Sequence, residues 1–152
     1  MDIQWAKLLI VVGMPGSGKS TYLQRLKDDG KIVEFYDDYQ GRSHDNRPEP
    51  ELSKCYTPLL AHLKKGETVA ASDIRWCKEP DLHLFVAAVL RVAPEAEIEY
   101  HYFQNDPKQC KANVRRRARE GHVEHELGMI DDYSKKYKIP VVKTLEVYKE
   151  KK

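Results

Sequence analysis

The residues Gly13, Met14, Pro15, Gly16, Ser17, Gly18, Lys19 and Ser20 carry the sharpest chemical signal in this 152-residue chain. Their order fits the spacing GxxxxGK[ST], in which glycines let the backbone curl around a phosphate with its N–H groups turned inward. The lysine of such a loop reaches the outer phosphates of a nucleoside triphosphate, and the hydroxyl that follows it reaches Mg²⁺. Lys19 and Ser20 are expected in those two roles. Thr21 belongs with them, in the first turn of a helix whose positive end adds to the attraction. A glycine turn that merely joined a strand to a helix would have no need of Lys and Ser at these positions.

Three further groups of residues could act on the phosphate or its acceptor. "YDDYQ", residues 36–40, closes an apolar stretch, so Asp37 is expected near the transferring phosphate as the general base of a hydroxyl acceptor. Asp38 is the alternative, because successive side chains on a strand point to opposite faces. Asp73 ends another apolar run, where a second acidic residue orients Mg²⁺ directly or through water. In "KANVRRRARE", residues 111–120, Arg115 and Arg119 stand four apart and share a helix face. That pair could close on a triphosphate, with Arg119 neutralising the transferring phosphoryl group, since a guanidinium is always charged and binds two oxygens at once. Arg117 points elsewhere on the helix, and Lys108 and Lys111 extend a basic patch suited to an acceptor's phosphate backbone.

These groups need a scaffold that gathers them, and the chain supplies an alternating one. Residues 7–12, KLLIVV, are a continuous apolar run of the kind buried on both faces of a parallel sheet. A helix over 20–27 stops near Gly30, and a second strand is expected over 31–36. The polar segment 37–51 reads as an exposed loop able to meet a ligand. A helix over 51–65 follows, kinked or limited at its start by Pro58, then a buried strand over 67–73 and an amphipathic helix through Leu82, Phe85, Val86, Val89 and Leu90 that Pro94 ends. A strand over 97–103, a basic helix over 107–120, a helix marked by Met129, Ile130, Tyr133 and Tyr137, and a short last strand at 140–144 complete the order. The pattern implies an α/β domain whose mainly parallel, five-stranded central sheet is flanked by helices, with ligands at the carboxyl ends of the strands.

Length and composition fit one globular domain over residues 1–152, with 41% hydrophobic and 33% charged residues. No apolar run approaches the roughly 18 residues of a membrane span, so no membrane partner is expected. The run 8–12 is too short for a signal-peptide core and enters the glycine loop directly. Cys55, Cys77 and Cys110 are widely spaced and lack any CxxC pairing, which fits a reducing cytoplasm better than a disulfide or zinc framework. His122 and His125 read as a solvated face rather than a metal pair. A net charge of +2 does not by itself establish nucleic-acid binding.

Over roughly residues 7–142 the chain resembles the phage-type polynucleotide 5′-hydroxyl kinases, within the wider group of small P-loop kinases. The resemblance rests on "GMPGSGKSTY", on "YDDYQ", on the "SD" of Ser72 and Asp73, on Arg115 and Arg119, and on "MIDDYSKKYKIPV". It implies a P-loop kinase fold with a helical lid at about 115–125 and an acceptor loop at about 37–51. It also implies ATP and Mg²⁺ as cofactors and transfer of the γ-phosphate to the 5′-hydroxyl end of DNA or RNA, with Asp37 as the base. Two places depart from the family pattern. The arginine three residues after the base is here Gln40, with Arg42 and Arg47 as neighbouring substitutes, and polar residues after the third-strand aspartate give way to Ile74 and then Arg75. Two other readings use the same residues: a kinase for a sugar, nucleoside or nucleotide-sugar hydroxyl, and a nucleotide-binding regulatory switch that needs no acceptor.

Overall fold

The computed structural model describes residues 6–37, 57–118, 120–140 and 142–149. Arg119 and residues 38–56 lie outside them, and with those go Asp38, Gln40, Arg42, Arg47, Cys55 and all but the first residue of the expected acceptor loop. The described chain runs β1 (Lys7–Val12), α1 (Lys19–Asp28), β2 (Glu34–Asp37), α2 (Thr57–Lys64), β3 (Thr68–Ser72), a 3-10 turn (Ile74–Cys77), α3 (Glu79–Val92), β4 (Glu97–Tyr102), α4 (Pro107–Arg117) and α5 (Val123–Lys136). The four strands form one all-parallel sheet in the order β2-β3-β1-β4. No helix among the described residues is long and apolar enough to cross a membrane.

Each strand alternates between two apolar layers. Leu8, Ile10 and Val12 of β1 and Val69 and Ala71 of β3 face a core with Leu59 and Leu63 of α2, Phe85 and Val89 of α3, Cys110 and Val114 of α4, and Ile130 of α5. Trp76, 1% exposed, stacks on Phe85 in this layer with ring centroids 4.4 Å apart, so it packs rather than waits for a base. Leu9, Val11 and Ala70 face the other way, onto Leu23 and Leu26 of α1 and Phe103. Helix α1 therefore lies on one face of the sheet, and α2 to α5 contribute to the core on the other.

The parallel register then brings particular strand ends together. Val11 pairs with Ser72, and Ser72 pairs with Asp37 on the next strand. Because Leu9, Ala70 and Phe35 belong to the α1 layer, period-two alternation puts Val11, Ser72 and Asp37 on that same face.

Some boundaries differ from expectation for local reasons. The second strand begins at Glu34, because Lys31 N–H is tied back to Leu26 O at 2.9 Å, closing α1 before the ladder starts. Pro58 sits in the first turn of α2, where its missing N–H costs nothing. The strand expected at 140–144 is not formed among the described residues. Val142 N–H instead turns back to Pro140 O at 2.8 Å, and only Leu145 bridges in parallel to Phe103, through bonds of 2.8 Å to Tyr102 O and 2.9 Å from Gln104 N.

Tyr137 fixes the carboxyl end of the sheet. Its buried hydroxyl donates to the carbonyls of Val12 (3.2 Å) and Phe103, the residues where the chain leaves β1 and β4. Burial holds this phenol well above the usual tyrosine range, so it remains a donor under alkaline conditions. Replacing Tyr137 by Phe strips the Phe103 carbonyl of its donor, while Val12 O keeps the Phe103 N–H at 2.8 Å, and is expected to cost about 1–3 kcal/mol, read as a lowered melting temperature. An unchanged melting temperature would show that this hydroxyl holds nothing in place.

Candidate functional site

The loop from Gly13 to Gly18 leaves β1 at the carboxyl edge of the sheet and enters α1 directly. Two of its glycines are required by geometry. Gly16, at φ 79°, lies so close to α4 that a Cβ would come within 2.5 Å of Cys110 O. Gly18, at φ 104°, is the left-handed residue that opens α1, and a Cβ there would meet Tyr148 Cβ at 3.0 Å. Met14 and Ser17 are fully buried within the loop.

Lys19 is 7% exposed and folded onto its own loop, with Nζ donating to Gly13 O at 2.9 Å and Met14 O at 3.2 Å. The ammonium is thus parked on carbonyls, inside the concavity that the motif would wrap around a phosphate. Further carbonyls of the loop are also held. Tyr22 N–H donates to Gly18 O at 3.0 Å, and Tyr148 N–H donates to Ser17 O at 3.0 Å. Asn113, 5% exposed on α4, donates through Nδ2 to Gly16 O at 2.8 Å and Tyr148 O at 2.7 Å, clamping loop, helix and C-terminal segment together. Asn113 and Tyr148 were not singled out by the sequence motifs. The available signal was a small amide within the buried Cys110, Asn113 and Val114 face of an otherwise basic helix.

Ser20 and Thr21 are exposed in the first turn of α1, and the Ser20 hydroxyl donates to Asp37 Oδ2. The structure thereby brings together the expected metal hydroxyl and the expected base. Asp73 is placed differently. It is 1% exposed, continues β3 in extended geometry, and caps the 3-10 turn by accepting from Arg75 N–H at 2.9 Å. Its charge acts on Cys77 and on Tyr133 of α5, in the layer opposite α1.

Among the described residues, the buried side-chain polar atoms without a hydrogen-bond partner are Ser17 Oγ, Asp37 Oδ1 and Ser72 Oγ. All three lie at this end of the sheet, one in the loop and two on register-paired strand ends. Unpaired buried polar atoms are uncommon, and each costs about 1–3 kcal/mol unless something binds it. Their set of hydroxyl and carboxylate oxygens, beside Ser20, matches what a hard divalent cation such as Mg²⁺ accepts.

The basic helix also divides by role. Arg117 pairs with Glu126 of α5, Lys111 pairs with Asp131, and Arg116 lies over the Tyr148 ring at 5.2 Å, so these cations brace α4 against its neighbours. Arg115 is exposed in the last turn, while Arg119 falls outside the described residues. Between them Ala118 adopts the left-handed conformation at φ 46° and turns the chain towards α5. Burial pushes the Cys77 and Cys110 thiols up to about 12, against the smaller opposing pull of Lys19. Neither is a nucleophile at neutral pH.

No protein-family model matches the sequence. An uncharacterized protein of Acanthamoeba polyphaga mimivirus is 27% identical over 136 residues, covering 88% of this chain and 87% of the relative. Among solved structures, a chain in the structure of the Pnkp1/Rnl/Hen1 RNA repair complex is similar with a TM-score of 0.53 and 18% identity, over 90% of this chain and 48% of that one. The present chain thus spans about half the length of that neighbour, and what the two share is the fold.

Two outcomes test this construction. Asn113→Ala leaves two partly buried carbonyls without a donor and is expected to lower stability by about 1 kcal/mol in a denaturant titration. Asn113→Asp, which cannot donate, should do no better. In a Cys55→Ser background at pH 8, iodoacetamide should leave the native protein unlabelled and label both remaining cysteines after unfolding. Labelling of the native protein would contradict the burial of these thiols.

Proposed function

We propose that this chain is a single-domain, Mg²⁺- and ATP-dependent phosphotransferase whose acceptor is the 5′-hydroxyl end of a nucleic acid. The observation that carries the reading is the pairing of Ser20 with Asp37, whose second oxygen is buried and unpartnered, at the mouth of a loop on which Lys19 is parked. Ser20 would hold Mg²⁺, with Asp73 as the strand-end acid orienting it directly or through water, and the bound cation would neutralise charge on the nucleotide phosphates. The likeness of fold to a chain from an RNA repair complex supports an acceptor of nucleic-acid type, as does the sequence resemblance to 5′-hydroxyl kinases.

In this reading the γ-phosphorus forms a bond to the acceptor oxygen while its bond to the β,γ-bridging oxygen breaks, leaving ADP. The acceptor's proton passes to the Asp37 carboxylate. The loop N–H groups and Lys19 hold the phosphates, with Lys19 exchanging two carbonyls for phosphoryl oxygens. Arg115, in the last turn of α4, and Arg119, beyond the helix end, close on the phosphates, with Arg119 countering the charge on the transferring group. Little covalent work falls to the protein, so positioning and charge supply most of the rate.

The test is transfer of label from γ-labelled ATP with Mg²⁺ to 5′-hydroxyl DNA and RNA oligonucleotides, beside the same strands already 5′-phosphorylated. Label is expected on the 5′-hydroxyl strands alone. Lys19→Ala should reduce transfer by at least about a hundredfold, and Asp37→Asn should retain ATP binding while turnover falls by about 10²–10⁴. An Asp37→Asn variant as fast as wild type would remove Asp37 as the base. Label passing to small hydroxylated metabolites but not to oligonucleotides would replace the acceptor.

A further inference from the structure

Ser72 is the residue whose placement the reading above leaves unexplained. It is 0% exposed, its hydroxyl has no partner among the described residues, and the two residues before it on β3, Ala70 and Ala71, are alanines. Alanine would fit the same space without the cost of burying an unpaired hydroxyl. The register puts Ser72 beside Asp37 on the face covered by α1, the face from which Ser20 reaches Asp37.

Neighbouring strands lie about 4.8 Å apart, so side chains paired across them on one face stand about 5 Å apart. Both side chains are therefore within reach of one bridging oxygen that bonds each at about 2.7–2.8 Å. On one side of the span is the unpaired Ser72 Oγ, and on the other is the unpaired Asp37 Oδ1. Asp73, the residue next along, is already engaged in capping the turn that follows.

We propose that Ser72 is a positioning residue for the divalent cation, its hydroxyl and Asp37 Oδ1 together holding one water of the cation's shell behind Ser20. The inference rests on the phosphotransferase reading and deepens it, adding Ser72 to the strand-end role expected of Asp73. Its cost in the empty protein is an unsatisfied hydroxyl, and its gain appears only when nucleotide and cation are bound together.

The experiment measures binding of a non-hydrolysable ATP analogue by calorimetry, with excess Mg²⁺ and with EDTA, together with the melting temperature of the metal-free protein. For Ser72→Ala we expect unchanged affinity in EDTA, a loss of about tenfold in the enhancement that Mg²⁺ gives, and a melting temperature equal to or above wild type. An unchanged Mg²⁺ enhancement would overturn the proposal. A lowered melting temperature would also overturn it, since the hydroxyl would then be serving the fold. Absence of nucleotide binding by the wild-type protein is a distinguishable result, removing the reading of the loop and this inference with it.

Discussion

A loop that offers its N–H groups to a phosphate must present its carbonyls to the protein, and the rest of the site is arranged around that constraint. The carbonyl of Gly13 is held by Lys19, that of Met14 by Lys19 and by Ser17 N–H at 3.1 Å, and that of Gly16 by Asn113. Tyr148 N–H holds Ser17, and α1 itself takes Gly18. Helix α4 and the C-terminal segment are therefore part of the loop's construction. Their packing also bears on the glycines: α4 leaves no room for a Cβ at Gly16, and at Gly18 a Cβ would press on Tyr148 from a left-handed backbone that side chains rarely adopt.

The same constraint links fold to electrostatics. Parallel strands in the order β2-β3-β1-β4 deliver Asp37, Ser72 and the loop to one edge. Tyr137 pins the last carbonyls of β1 and Phe103 from the opposite layer. Among the described residues, the edge that results holds an ammonium bonded to neutral carbonyls, a carboxylate with a single hydroxyl partner, and two unpaired hydroxyls. Such a set is stable enough to persist and is improved by a ligand that brings both anionic oxygens and a hard cation.

Much of this was legible in the sequence because it rests on local rules. An apolar run, a glycine loop and a helical pattern fix β1, the loop and α1, and Asp37 at a strand end follows from alternation. What sequence did not reveal depends on contacts between distant segments. The union of Asn113 with Gly16 and Tyr148 spans separations of 97 and 35 residues. The Ser72 and Asp37 pair appears only once β2 and β3 are in register. Among the described residues the expected fifth strand does not form, for a local reason: Val142 N–H turns back to Pro140 O, and Leu145 alone pairs with Phe103. The expected acceptor loop and Arg119 fall outside the described residues, which leaves Asp37 as the described residue expected to meet the acceptor.

The most direct measurement of the central claim, that this edge is a nucleotide and cation seat, is amide NMR with a non-hydrolysable ATP analogue added before and after Mg²⁺. The account predicts the largest shifts at the amides of Gly16, Gly18, Lys19 and Ser20 on adding the nucleotide, followed by a second set at Ser20, Asp37 and Ser72 on adding Mg²⁺. Shifts confined to residues away from the loop, or none at either step, would contradict it.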